Sequence, residues 1–298
     1  MIRFQPDFFA FSAEPIADVI VRELSDLLSP KKRFRAGNTL CFEGVTTDAV
    51  RRIKAQASAE RNRLDSLFWA RNTSITQYKA FFFDMDSTLV TTETLDEMAE
   101  LCGTGKACAE ITAAAMAGTI KNYAESLRAR VALLKGMDAS VLDTVKANTR
   151  INPGARELIA ALNANGIKSY VLSSGFTVCT SVIARELGMT GYHSNVIGIE
   201  NGRFTGSVTG PEGGVIVDGA GKLAFAERTV KALGGTMENA ACAGDGSNDR
   251  LMVSAAGLGI GFRPKAVLKS YCTVSLMTTG FASLLALFKE TAPTMTEF

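Results

Sequence analysis

FFFDMDSTLV, residues 81–90, runs from three phenylalanines directly into two aspartates, Asp84 and Asp86, and two hydroxyls, Ser87 and Thr88. A short apolar run bounded by polar residues has the pattern of a buried strand. In an open parallel sheet, ligands bind at the C-terminal ends of the strands. Carboxylates at such a tip therefore raise a question of chemistry as well as of fold.

The same rhythm of strand, turn and helix repeats downstream. KAFFF (79–83) reads as a strand, ARELIAALNANG (155–166) as a helix stopped by Gly166, and IKSYVLSS (167–174) as a strand. TSVIARELG (180–188) reads as a helix, NAACAGD (239–245) and LGIGF (258–262) as strands, and AVLKSY (266–271) as a short helix. Alternation of this kind predicts an α/β fold with a doubly wound, mostly parallel, Rossmann-like sheet. IGIENGRFTGSV (197–208) interrupts it with a hairpin signal at Asn201-Gly202. A second interruption is the run of four helical segments TLDEMAELC, KACAEITAAAMAG, NYAESLRARVALLKG and DASVLDTVKAN, with no strand between them. They predict a helical-bundle cap over residues 93–149, inserted after the first core strand. The core itself then takes residues 76–92 and 150–298.

Residues 1–75 form a small N-terminal α/β region of unassigned role, set off by the polar stretch NTSITQY (72–78). PIADVIVRELSDLL (15–28) carries Ile16, Val19, Ile20, Leu24, Leu27 and Leu28 at helical spacing. Residues 46–71 are expected to form a second helix with Val50, Ile53, Leu64, Leu67 and Phe68 on its apolar face and arginines facing solvent.

Composition narrows the function classes. The 298 residues include 32 basic and 30 acidic side chains, a net charge of +2, which offers no field for nucleic acid or an anionic membrane. The six cysteines form no CxxC pair, which argues against zinc and disulfides. The N-terminus lacks the signature of a signal peptide, and no apolar stretch reaches the roughly 18 residues of a membrane span, so a cytoplasmic location is expected. With one histidine, His193, in the unremarkable stretch GYHSN, serine–histidine triads are nearly excluded.

Three predicted strands end in polar clusters, FFFDMDST, YVLSSG and ACAGDGSND. Asp84, Asp86, Asp245 and Asp249 would meet in one crevice. Carboxylates at that density repel one another, and an all-oxygen donor set suits Mg²⁺. A hard cation beside a further carboxylate points to phosphoryl chemistry. Lys222, in VDGAGKLAFAERTV at a predicted helix start, is the candidate cation for the phosphoryl oxygens.

DMDST, the strand-terminal Ser173, Lys222 and GDGSND, in this order and with a helical insert after the first, resemble the haloacid-dehalogenase superfamily of aspartate-nucleophile phosphatases. Within it, DMDSTLVTTETLDEMAELCGTG, AMAG, SLRARVALLKG, SSGFT and AGDGSNDRLM are similar to the bacterial phosphoserine phosphatases. The resemblance covers about residues 79–280. It implies Mg²⁺-dependent hydrolysis of O-phosphoserine, the last step of serine biosynthesis, through an aspartyl-phosphate. The alternative is action on another small phosphorylated amino acid or metabolite. It further implies Asp84 as nucleophile and Asp86 as general acid and base. Mg²⁺ would be held by Asp84, Asp86 through its main-chain carbonyl, Asp245 and Asp249. Ser173 and Lys222 would bind phosphate, with Asn248 beside them, while Ser174, Gly175, Met116 and Tyr123 border the substrate. Glu93 matches the position that meets the substrate ammonium. Arg130 matches the carboxylate-binding position, and a helical wheel agrees: Arg130 lies about 60° from Leu127, beside Tyr123, whereas Arg128 lies about 100° away on the outer flank. The expected partner is a small molecule, with a homodimer left open. Two departures stand out. Ser174 replaces a usual glycine, and FRPKA (262–266) replaces the family's histidine-alanine-lysine-proline pattern, which would bring Arg263 near the phosphate crevice.

Overall fold

Near the N-terminus, DFFAF forms strand β1 (Asp7–Phe11), and its five residues are all buried because both faces of the sheet it joins are covered. The computed structural model describes residues 6–117, 119, 120 and 122–298, with the side chain of Met116 outside the described residues. Helix α1 (Asp18–Leu28) follows, then β2 (Lys32–Ala36), β3 (Thr39–Glu43), α2 (Ala49–Arg61) and β4 (Asp65–Trp69). These strands make an antiparallel sheet joined at one edge by the C-terminal β12 (Thr296–Glu297), in the order β12-β2-β3-β1-β4. Phe8, Leu40 and Phe42 face α1 and α2. Phe9, Phe11, Phe34 and Leu67 face the other way, into one apolar core shared with the rest of the chain.

The helix expected over residues 46–71 is therefore two elements. Helix α2 ends at Arg61, Arg63 takes a left-handed φ of 58°, and Asp65–Trp69 pairs with β1 as an edge strand. The spacing of Leu64, Leu67 and Phe68 fits a helix as well as a strand, and only pairing with β1 decides between them. Val50 and Ile53 are 60% and 65% exposed, and α2 buries Ala55, Ser58 and Ala59 instead. Val19 is also solvent-facing.

Beyond this sheet come β5 (Ala80–Phe83), then the four helices α3 (Thr94–Leu101), α4 (Gly105–Met116), α5 (Tyr123–Ala132) and α6 (Val141–Asn148). The alternating part continues as α7 (Ala155–Ala164), β6 (Lys168–Phe176), α8 (Thr177–Glu186), β7 (Gly191–Glu200), β8 (Arg203–Thr209), α9 (Gly219–Ala232), β9 (Ala240–Gly244), α10 (Arg250–Ala255), β10 (Leu258–Phe262), α11 (Ala266–Lys269) and β11 (Val274–Leu276). The seven-stranded sheet has the order β11-β10-β9-β5-β6-β7-β8 and is parallel except for the β7–β8 hairpin. That hairpin turns at Asn201 and Gly202, both with positive φ, the conformation a two-residue turn of this type requires. Strand β5 lies between β6 and β9, so the sequence reverses direction of winding at its tip. Among the described residues, no helix is long and apolar enough to cross a membrane.

The two sheets are tied by Asp65, a buried carboxylate on β4. It accepts the main-chain N–H groups of Met277 at 2.8 Å, Thr278 at 3.2 Å and Thr279 at 2.8 Å, and the Thr279 hydroxyl at 2.6 Å. An aromatic chain reinforces the junction, with Phe288 packing edge-on against both Trp69 and Tyr78. Asp65→Ala leaves three main-chain donors without their acceptor and is expected to cost about 3 kcal/mol. Urea unfolding of wild type and variant checks this; an unchanged midpoint would show that water replaces the carboxylate at no cost.

Candidate active site

Strand β5 delivers Asp84 at its end, and the chain reverses at once: Ser87 adopts a left-handed φ of 54°, and Val90 N–H closes the loop onto the Met85 carbonyl at 3.0 Å. The two aspartates point to different partners. Asp84 Oδ1 accepts from Met85 N–H at 2.7 Å and lies 2.8 Å from Lys222 Nζ. Asp86 Oδ1 accepts from the Thr94 N–H at 3.1 Å and from the Thr94 hydroxyl. Its other oxygen lies close to Gly175, where an added Cβ would stand 3.2 Å from Asp86 Oδ2. Burial lifts the Asp86 carboxyl to about 7, against the lowering effect of Thr94. A carboxyl so placed can give and take a proton near neutrality.

Lys222 is wholly buried in the first turn of α9, a helix capped by Asp218 accepting from Gly221 N–H at 2.9 Å. Its ammonium bridges Asp84 and Asp249 Oδ1, the latter at 2.7 Å. Burial opposes its charge, yet the two carboxylates outweigh burial and hold the ammonium protonated. Burial and the nearby Asp249 push the Asp84 carboxyl well above its ordinary value, with Lys222 acting in the other direction. Asp249 Oδ2 accepts from the N–H groups of Asp245 at 3.1 Å and Gly246 at 3.2 Å. Gly244 makes this fold-back possible, since a Cβ there would meet Asp249 Cγ at 2.3 Å.

Carboxylate oxygens of Asp84, Asp245 and Asp249 lie within 4.8 Å of one another, and all three residues are buried. One buried ammonium does not balance three carboxylates, and all the donors are hard oxygens, so the residues fit a hard divalent cation. The Asp86 carboxylate is not part of this cluster.

Above the cluster, a cleft of about 460 Å³ runs from the strand tips to helices α3–α5, the segment expected to form the cap. Ser173, Ser174, Gly175, Asp245 and Asn248 line it from the core, and Glu93, Tyr123 and Arg130 from the cap. Ser173 Oγ accepts from Gly175 N–H at 2.8 Å, and Asn248 Nδ2 stands 3.5 Å from Asp84 Oδ2. Tyr123 donates its hydroxyl to the Ser174 carbonyl at 3.1 Å, bridging cap and core. Glu93 accepts from the Ser87 hydroxyl at 2.7 Å. Arg130 faces the cleft with its buried Nε lacking a hydrogen-bond partner among the described residues, whereas Arg128 is exposed. The predicted contribution of Met116 lies outside the described residues.

The loop after β10 departs from expectation. Arg263 is exposed, with its guanidinium 5.1 Å from the Phe262 ring centroid, while Lys265 reaches the cleft and pairs with Asp245 Oδ2 at 2.8 Å. A left-handed φ of 44° at Arg263 redirects the chain. Sequence reasoning missed Thr94 too, whose only signal was its place at the start of the helix after Glu93. His193 stacks on Phe225 at 4.4 Å, a packing role, and all six cysteines are free.

Residues 81–254 match the model of the haloacid dehalogenase-like hydrolase family, and the chain belongs to that family. It is 41% identical over 216 residues to a phosphoserine phosphatase of Albidiferax ferrireducens, covering 72% of this chain and 91% of that protein. A phosphoserine phosphatase of Archaeoglobus fulgidus is 37% identical over 238 residues, covering 80% of this chain and 68% of its own. Among solved structures, a substrate-bound phosphoserine phosphatase superposes with a TM-score of 0.64 at 32% identity, over 71% of this chain and 99% of that one. A hydrolase of the same superfamily from Salmonella enterica serovar Typhi shares the fold over 97% of this chain and 99% of its own, at TM-score 0.83 and 24% identity.

Replacing Lys222 by Met removes the only buried cation bridging Asp84 and Asp249 among the described residues. In chelator, the variant is expected to lose about 3–5 kcal/mol of stability, because two carboxylates are left buried without it. Denaturant titration of both proteins checks this; equal stability would mean that water already reaches the pair.

Proposed function

We propose that the chain is a Mg²⁺-dependent phosphoserine phosphatase, hydrolysing O-phosphoserine to serine and phosphate. The observation that carries this is a single cleft with Asp84 at its floor, backed by the buried Lys222, and with Glu93 and Arg130, whose Nε has no hydrogen-bond partner among the described residues, at its other end. Its two ends suit the two ends of one small phosphorylated amino acid. We assign residues 1–75 to an N-terminal region, 76–92 with 150–298 to the catalytic core, and 93–149 to the cap.

In this reading Asp84 attacks phosphorus in line, the bond from phosphorus to the serine oxygen breaks, and Asp86 protonates that oxygen as serine leaves. Asp86 then takes a proton from the water that attacks the aspartyl-phosphate, and phosphate departs with Asp84 restored. Thr94 holds the Asp86 carboxyl in place for both transfers. Ser173, Lys222 and Asn248 bind the phosphoryl oxygens, while Glu93 meets the substrate ammonium and Arg130 its carboxylate. Ser174, Gly175 and Tyr123 shape the wall between these ends. Asp84, Asp245 and the main-chain carbonyl of Asp86 would hold Mg²⁺, with Asp249 in support. When bound, the ion offsets the charge of the phosphoryl group.

Phosphate release from a panel of phosphorylated amino acids, sugars and an aryl phosphate tests the reading, with phosphoserine expected to be hydrolysed most efficiently. A preference for another member of the panel would transfer the assignment to that compound and leave the reaction class standing. Asp84→Asn should retain the fold and abolish multiple turnover, since an amide cannot displace the serine oxygen. Sustained turnover by a freshly prepared variant would rule out Asp84 as nucleophile.

Arg130→Ala leaves a substrate carboxylate buried and poorly compensated. We expect kcat/KM for phosphoserine to fall roughly 30- to 1000-fold, with far less change for an aryl phosphate that has no amino-acid head. Arg128→Ala should alter neither substrate much. Equal losses on both substrates for Arg130→Ala would indicate a defect in the cap and not in recognition.

A further inference from the structure

Lys265 enters the cleft from the loop that follows β10, and that loop is built to hold it there. Gly261 leaves room for the Pro264 ring, which a Cβ would meet at 2.7 Å. The left-handed Arg263 donates its N–H to the Leu276 carbonyl at 2.9 Å, so the turn is fixed on both sides. Lys265 then grips Asp245 at two points. Its main-chain N–H donates to the Asp245 carbonyl at 2.8 Å, and its ammonium lies 2.8 Å from Oδ2 of the same residue. The Asp245 side chain is buried, yet the Lys265 side chain is 63% exposed and lines the cleft.

One ammonium is thus fixed against a carboxylate of the three-carboxylate cluster while remaining open to whatever enters. The geometry points to Lys265 as an electrostatic gate at the mouth of the centre, a positioning residue that restrains cation binding at Asp245 and favours the phosphate dianion. This rests on the metal-dependent phosphatase reading of the site.

Two effects of opposite sign act on the cation. By fixing the Asp245 carboxylate, the pair spares an incoming ion some of the cost of ordering its ligand. A solvent-accessible ion pair of this kind is worth at most about fivefold in an equilibrium constant. Repulsion between a unit charge and a divalent ion at neighbouring positions is larger, on the order of tenfold even at the dielectric of bulk water, the limit that suits so exposed an ammonium. Repulsion therefore wins, and Lys265 weakens cation binding. The same charge attracts a dianion, and the site exchanges cation affinity for anion affinity.

The full chain, stripped of metal with chelator and dialysed, is titrated calorimetrically with MgCl₂ as wild type, Lys265→Met and Lys265→Arg. Inorganic phosphate is then titrated into each protein saturated with Mg²⁺. Lys265→Met is expected to bind Mg²⁺ about tenfold more tightly and phosphate about tenfold more weakly, and Lys265→Arg to stay near wild type in both. A side chain that merely packs or orients would not shift the two affinities in opposite directions. Any result in which Lys265→Met lacks opposed shifts overturns the gate while leaving the metal site intact. If wild type takes up no Mg²⁺, the metal reading fails and the gate falls with it.

Discussion

The buried ammonium of Lys222, held at 2.8 Å from Asp84 and 2.7 Å from Asp249, is the contact on which the rest of the site depends. Neither carboxylate sits comfortably without it, because each has lost its hydration and lies near another of the same charge. Three parts of the chain must meet for it to form: the tip of β5, the first turn of α9 and the loop after β9. Two glycines permit the approach. A Cβ at Gly244 would strike the Asp249 carboxyl at 2.3 Å, and one at Gly219 would strike the Asn248 carbonyl oxygen at 2.8 Å. The parallel register of β5 with β9 then sets Phe83 beside Ala243, which brings Asp84 and the following loop level with each other.

In the proposed function, chemistry and recognition fall to different layers of the molecule, and the structure joins those layers mechanically. Thr94, at the start of the first cap helix, holds the Asp86 carboxyl, and Tyr123 on α5 reaches the Ser174 carbonyl at the tip of β6. The β7–β8 hairpin supports the cap from beneath, exchanging main-chain hydrogen bonds between Phe204 and the segment Gly136–Met137. Movement of the cap would therefore be felt at Asp86 and at the wall of the cleft. In the proposed function, such coupling would let a substrate that fits the end lined by Glu93 and Arg130 help to set the geometry at Asp84.

The N-terminal sheet is integrated with the core and not merely tethered to it. One face contributes Phe9, Phe11 and Leu67 to the main apolar cluster, Asp65 ties its edge to residues 277–279, and the C-terminal strand pairs with β2 at the opposite edge. Lys32 and Glu297, 3.2 Å apart, add a solvent-exposed pair there. Both ends of the described chain thus meet in one sheet.

Much of the fold was legible from local pattern. Strands 80–83, 168–176, 240–244 and 258–262, the four cap helices and the Asn201-Gly202 hairpin follow from periods of 2 and 3.6 residues and from turn chemistry, all of which act between near neighbours. The clustering of Asp84, Ser173, Asp245 and Asn248 at strand ends followed from the rule that parallel strands present their C-terminal tips together, and the helical wheel separated Arg130 from Arg128. Local pattern failed where two structures satisfy one spacing, as at Leu64, Leu67 and Phe68, which became an edge strand through pairing with β1. It also failed where a single backbone dihedral redirects a side chain. The left-handed turn at Arg263 sends that arginine to solvent and brings Lys265 onto Asp245, and Thr94 becomes the partner of Asp86 only because the loop reverses at Ser87. The sequence by itself determined which elements form and which polar residues gather at their ends. Tertiary structure alone decided which charges are buried together and which partner each one takes, because those pairings join residues far apart in the chain through sheet register and turn geometry, and no local period encodes them.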